Sequence, residues 1–93
     1  MGVMLRLPTI LADVVEGRRA LEVEPTPATV GAMFDALAVS HPALERRVRD
    51  EKGDLRRFVN VYVGDHDVRH LEGQATALAD DAEVWILPSV AGG

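Results

Sequence analysis

Val3, Leu5 and Leu7 alternate with Met4, Arg6 and Pro8 at the start of the chain. A period of two sends successive side chains to opposite faces of a strand, so the odd positions face inward. Charges and Gly17 between Asp13 and Arg19 predict a hairpin loop. Leu21 and Val23, alternating with Glu22 and Glu24, then predict a second strand antiparallel to the first. Pro25-Thr26-Pro27 breaks that strand, and Thr26 is placed to cap a helix with Pro27 in its first turn. Val30, Met33, Phe34, Leu37 and Ala38 recur at helical spacing as one apolar stripe. His41-Pro42 ends that helix, because the residue before a proline avoids the helical region. Leu44 and Val48, four apart, predict a short second helical piece, followed by a polar loop from Asp50 to Asp54. Phe58 to Val63 is the clearest strand, with Val59, Val61 and Val63 on one face. Gly64-Asp65 marks a turn and Asp67 to Arg69 a brief edge strand. Leu71 to Leu78 reads as irregular, and Ala79 to Ala82 as a turn before a last strand. In that strand Val84 and Ile86 oppose Trp85 and Leu87.

A single long helical stripe needs one sheet face to cover it. Val3, Leu5, Leu7, Leu21, Val23, Val59, Val61, Val63, Val84 and Ile86 supply that face. The expected fold is α+β, a β-grasp: a four- to five-stranded mixed sheet with one main helix across one face. First and last strands lie side by side and parallel in such a fold. Residues 1–88 form the domain, and 89–93 a flexible tail.

Composition narrows the function. The chain has 93 residues, a net charge of −5 and no cysteine. One small domain follows from the length, and the acidic balance argues against general nucleic-acid binding. Lack of cysteine removes disulfides, Cys-zinc sites, iron–sulfur clusters and thiol catalysis together. Neither a signal peptide nor a membrane span is visible, so a cytoplasmic monomer is expected. Gly2 is not followed by Ser or Thr at position six, where Arg6 stands, so myristoylation is not expected.

The second face of the sheet has no covering layer in so short a chain. Its predicted occupants are Met4, Arg6, Pro8, Phe58, Asn60, Tyr62, Trp85 and Leu87, including most of the aromatic residues. A contiguous apolar patch marks a binding surface, and aromatics and arginine dominate such surfaces. Leu87 and Trp85 stand just before the tail Ser89-Val90-Ala91-Gly92-Gly93. Two terminal glycines carry no side chain to block a narrow cleft. From Pro88 an extended tail could reach roughly 20 Å at about 3.3–3.6 Å per residue. The terminal carboxylate of Gly93 is therefore the expected reactive group, with Gly92, Ala91 and Val90 as the stem that enters a partner. A carboxylate is a poor acyl donor, so it needs activation, for example by adenylation with ATP. Lacking cysteine, the chain could carry sulfur only on that terminus.

Phe58 to Val63, the following Gly64-Asp65-His66-Asp67-Val68-Arg69, Thr29-Val30-Gly31 at the helix start, and Leu87-Pro88-Ser89-Val90-Ala91-Gly92-Gly93 together carry a resemblance. The chain resembles the ubiquitin-like sulfur carriers of the ThiS/MoaD family over nearly its whole length. It is most similar to the carriers in that family that serve cysteine biosynthesis. The resemblance implies an E1-like adenylyltransferase that activates Gly93 with ATP, and a sulfur source that converts it to a thiocarboxylate. It further implies a PLP-dependent cysteine synthase as acceptor and a zinc peptidase that releases cysteine. Relatives serve thiamine thiazole, molybdopterin or thiosugars instead. The family docks its activator through the exposed sheet face near the tail, which maps onto Leu87, Pro8 and Phe58. One departure stands out: where the family usually has an Asp-Gly-Asp turn, Asp81 occupies the glycine place and Ala82 that of the second aspartate. Aspartate tolerates the left-handed region, so a modest stability cost is expected.

Other chemistry is poorly supported. His41, His66 and His70 form no tight ligand motif, and Ser89 has no oriented base. Without a Walker A or dinucleotide fingerprint, the chain is expected to be a co-substrate, not an enzyme, with no catalytic or metal-binding residues of its own. A protein modifier joined to lysine needs the same terminus, and an inert β-grasp interaction module would not need it.

Overall fold

A computed structural model describes residues 1–88. The strands are β1 (Val3–Arg6), β2 (Ala20–Val23), β3 (Val59–Val63), β4 (His66–Asp67) and β5 (Glu83–Pro88). The helices are α1 (Thr9–Ala12), α2 (Val30–Ser40) and α3 (Pro42–Val48). The sheet order is β2-β1-β5-β3-β4, with β1 and β5 parallel and the other neighbours antiparallel. This is the β-grasp expected, with the first and last strands adjacent at its centre.

The core follows the alternation read from the sequence. Val3, Leu5, Leu21, Val23, Val59, Val61, Val84 and Ile86 are buried beneath Val30, Met33, Phe34 and Leu37 of α2. Val63 is only half-buried, because it pairs with His66 next to the β3–β4 turn, where helix cover runs out. Gly64 at that turn has φ +60°, a conformation open to glycine and suited to the first central place of a tight hairpin. Ala38 is also half-buried, at the margin of the helical stripe.

Four local expectations need correction. The β1–β2 connection is not a plain loop. Thr9–Ala12 forms α1 and Asp13–Val15 a 3-10 turn, which bury Leu11, Ala12 and Val15. Leu11 and Val15 stand four apart, a helical pair that the apolar neighbours Ile10, Ala12 and Val14 obscure in the sequence. The cap of α2 is Thr29, whose hydroxyl accepts from the Ala32 amide at 3.1 Å. Thr26 instead donates to the Asp80 carboxylate, which ties the β2–α2 connection to the turn before β5. The edge strand is His66–Asp67, and Val68 turns inward to open a 3-10 helix. Phe58 precedes β3 instead of opening it.

The turn before β5 behaves as the Asp81 substitution predicts. Asp81 has φ +66°, and its amide donates to the Gly2 carbonyl at 2.8 Å. Gly2 is buried, and a Cβ there would stand 2.4 Å from the Val23 carbonyl oxygen. Its small size is a packing requirement.

Outside the sheet, Arg49 holds the helical layer together. Its guanidinium donates to Glu45 at 2.7 Å, to Asp35 at 3.0 Å and to Gln74 at 3.1 Å. It also lies 5.7 Å over the Phe34 ring. Burial opposes the charged form of Arg49, but the carboxylates of Glu45 and Asp35 outweigh it and raise the pKa above the ordinary arginine value.

Candidate docking site and reactive terminus

β5, the last described strand, lies in the middle of the sheet. β5 is flanked by β1 up to the pair Arg6–Trp85 and by β3 up to the pair Val59–Pro88. The Gly64 amide donates to Glu83 at 2.9 Å, and antiparallel bonding alternates from there. Tyr62–Trp85 and Asn60–Leu87 are therefore bonded pairs, and Val59–Pro88 falls at a non-bonded position. A proline costs no ladder bond at that place. The strand thus holds its register to Pro88. Gly93, Gly92, Ala91 and Val90 lie outside the described residues.

The eight residues assigned to the open face divide into two groups. Arg6, Tyr62 and Trp85 sit over the middle of the sheet. The Arg6 guanidinium lies 5.7 Å from the centre of the Trp85 ring and 3.5 Å from Glu83, while Tyr62 pairs across from Trp85. Trp85 is 40% exposed. Met4 and Asn60 are half-buried on the same face.

Pro8 and Phe58 belong to a different feature, a pocket of about 130 Å³ at the end of β5, and Leu87 lines both that pocket and the groove beside Tyr62 and Trp85. Its floor is buried Leu11, Val59 and Ile86; its mouth includes Ile10, Phe58 and Leu87, which are 64%, 60% and 40% exposed. Arg47 and Pro88 complete it. The strand pattern could not find Ile10, Leu11 or Arg47, because they come from α1 and α3. The only signal was Ile10, an apolar residue next to the end of a strand with no stripe to join.

Phe58 is held at the pocket by its neighbours. Arg69 donates to the carbonyls of Arg56 at 3.2 Å and Val59 at 2.7 Å, and to the Asn60 side chain at 2.6 Å. The Arg69 amide is itself anchored by Asp67 at 2.8 Å. Arg56 donates to the Arg46 carbonyl at 2.9 Å and ties this stretch to α3. The segment carrying Phe58 is thereby clamped on both sides.

Comparison with known proteins places the chain. The sequence model of the ThiS family matches residues 5–93. The chain belongs to the ThiS family. It is 42% identical to the sulfur carrier protein CysO of Mycobacterium tuberculosis, over 100% of both chains. It is 40% identical to small archaeal modifier protein 1 of Haloferax volcanii, covering 90% of this chain and 95% of that one. Among solved structures, CysO of M. tuberculosis aligns with a TM-score of 0.83 at 40% identity, covering 95% of this chain and 99% of that one. CysO in the BexX/CysO complex of Amycolatopsis orientalis aligns with a TM-score of 0.84 at 38% identity, covering 98% and 99%. For a ThiS-family chain the family match extends through the glycines at 92 and 93.

The remaining candidates recede. His66 and His70 are exposed, and His41 is half-buried with its Nδ1 2.9 Å from the Ser40 hydroxyl. Among the described residues no group of three His, Asp or Glu is arranged to hold a metal ion. No helix among them is long and apolar enough to cross a membrane.

Proposed function

We propose that this ThiS-family chain is a sulfur carrier whose reactive group is the carboxylate of Gly93. One observation carries the reading: full-length similarity to a sulfur carrier, in a chain without cysteine that ends in Gly-Gly. The register of β5 supports it, since a partner that grips the end of the sheet also fixes where the tail begins.

The chemistry follows from the terminus. An E1-like adenylyltransferase joins the Gly93 carboxylate to the α-phosphate of ATP, and pyrophosphate leaves. Sulfide, or a persulfide with a second thiol as reductant, then attacks the acyl carbon and expels AMP. The product is a thiocarboxylate, a soft nucleophile that retains the glycine stem for the next partner. Cysteine synthesis is the favoured destination. It would use a PLP-dependent synthase as acceptor and a zinc peptidase to cut the finished residue from the carrier. Residues 1–88 serve as the recognised body and 89–93 as the reactive arm.

Intact mass after incubation with ATP, a sulfide source and the host's E1-like enzyme tests this. A gain equal to one oxygen replaced by sulfur, absent when Gly93 is deleted, is the expected result. With a verified active enzyme, no gain refutes it. The likeness to an archaeal modifier protein supports a second reading, conjugation to lysine, which predicts covalent products of higher mass instead.

A further inference from the structure

We propose that the outer edge of β2 receives an extended basic segment of a partner protein as an added strand. In that segment apolar side chains alternate with lysine or arginine. The apolar set packs into the groove between β2 and α2, and the basic set meets Glu22 and Glu24. The inference concerns the body of the fold and does not depend on the chemistry of the C-terminus.

The two edges of the sheet are finished differently. Beyond β3 stands the two-residue β4, and the Arg69 guanidinium takes up the outward Val59 carbonyl at 2.7 Å. β2 has no such cover. The Leu7 amide donates to the Arg19 carbonyl at 2.9 Å, and alternation from that pair directs the backbone groups of Leu21 and Val23 toward β1. The amides and carbonyls of Ala20 and Glu22 therefore point away from the sheet. No backbone hydrogen bond among the described residues takes them up. A row of unpaired donors and acceptors is a template for another strand.

Charge and alternation define what that strand must be. A groove of about 310 Å³ runs beside the edge, between Leu21 and Val23 of β2 and Ala36, Leu37 and Ser40 of α2. The small side chains of Ala36 and Ser40 leave room there for an apolar side chain. Glu22 and Glu24 also line the groove, and no lysine or arginine does. Neither carboxylate enters an ion pair among the described residues. The other charges nearby are spent or lie outside the lining: Arg18 contacts Glu16 at 3.9 Å, Asp35 meets Arg49 at 3.0 Å, and Arg19 stands just before β2. His41, which completes the lining, has its Nδ1 2.9 Å from the Ser40 hydroxyl. Leu21 and Val23 face α2, while Glu22 lies on the opposite face across from Met4. A strand laid against β2 inherits that alternation, so its apolar residues fall on the groove side and its cations on the Glu22 side. Opposite charges across neighbouring strands are favourable and like charges are not.

Amide NMR of the full chain tests the proposal, with a short end-blocked peptide of alternating lysine and valine as the probe. The peptide should shift the Ala20 and Glu22 amides and slow their hydrogen exchange, and it should shift Leu37 and Ser40 across the groove. Methylating the backbone nitrogens on its pairing edge should weaken binding at least about tenfold, because the ladder bonds are lost. The E22K/E24K variant should also bind at least about tenfold more weakly and should come to prefer a peptide of alternating glutamate and valine. E51K/E72K, the same charge change away from β2, should lose no more than about twofold. Circular dichroism establishes that each variant is folded. No shift at Ala20 and Glu22 with millimolar peptide overturns the proposal. So does equal binding by the methylated peptide, which means charge without strand pairing, or an equal loss in E51K/E72K, which means bulk charge. Shifts confined to Tyr62 and Trp85 place the peptide on the open face and overturn it as well. If the Ala20 and Glu22 amides move with protein concentration alone, the edge is taken by a second copy of this chain and the basic partner is refuted. Each of these outcomes leaves the carrier reading intact.

Discussion

Replacing Arg49 with methionine separates the architecture of this fold from its chemistry. The Arg49 side chain is 10% exposed, as is 14% of its partner Glu45, so their contact at 2.7 Å is nearly shielded from water. Removing one member of a buried pair typically costs about 3–5 kcal/mol, because a charge is stranded. Glu45 keeps some access to solvent, which brings its share to about 2 kcal/mol by the same principle. Asp35 is 76% exposed, and such a contact contributes less than about 1 kcal/mol. The neutral bond to Gln74 adds about 1 kcal/mol at most, since Gln74 also donates to the Gly53 carbonyl. Methionine retains an apolar stem near Phe34. The expected loss is therefore about 3 kcal/mol, a large part of the roughly 5–15 kcal/mol that holds an ordinary domain folded. Urea unfolding should show it as a lower midpoint at constant slope. In a chain of this size it corresponds to a fall of roughly 12–24 °C in Tm. Combining Arg49→Met with Glu45→Leu should recover most of the loss, because an apolar pair can replace a buried ionic one. A single-variant loss below about 1 kcal/mol, or a double variant no better than the single, refutes the assignment. At a temperature where the variant is folded, thiocarboxylate formation should proceed as in wild type.

Three other outcomes follow from particular residues. Gly92→Val should block adenylation without lowering Tm, because the core described within residues 1–88 is unchanged and the added side chain obstructs entry to a narrow cleft; normal activation in the mass assay would refute the narrow-cleft argument. Asp81→Gly should stabilise the fold by up to about 1 kcal/mol, since Asp81 holds φ +66°, and a lower urea midpoint would contradict this. Asp50 accepts hydrogen bonds from the amides of Asp54 and Lys52, and the Asp54 bond leads in lowering its pKa below the ordinary aspartate value. A group depressed in the folded state stabilises above its unfolded pKa and loses that contribution as pH falls through the folded one. The Asp54 amide resonance should thus titrate at lower pH than signals of unpartnered aspartates. A midpoint equal to theirs would refute the contact.

Legibility in the sequence followed the reach of each signal. β1, β3 and β5 were readable because alternation reports a face directly. α2 was readable from its stripe. α1 was not, since its four residues give too short a span for helical periodicity to show. Thr26 and Thr29 both satisfy a capping pattern. Only the fold shows that Asp80 takes the Thr26 hydroxyl and leaves Thr29 to meet the Ala32 amide. The pocket was half legible. Pro8, Phe58 and Leu87 line it and were read as one face with Trp85, beside which Leu87 also stands. Period-two reasoning sees a sheet surface and not the wall that α1 and α3 raise beside it. Arg47 needed the third dimension entirely.

The strand order suits the proposed use of the C-terminus. A chain end on an edge strand would be tethered on one side, and fraying would move the start of the tail. Here β5 runs between β1 and β3, and its pairing with β3 continues to Pro88. The adjoining segment is fixed in turn by Arg69 and Arg56. On the proposed reading, the body therefore presents a defined origin for residues 89–93, with Gly93 as the reacting member. Positioning a reacting group within a partner's cleft depends on how well that origin is defined, because a displacement of about 1 Å can cost about a hundredfold in rate. The Arg69→Ala variant separates the two contributions: it loosens the Phe58 segment and leaves tail and core composition unchanged. A fall in kcat at unchanged KM, without loss of the folded state, would place the effect at the origin of the tail, and an unchanged kcat would refute it.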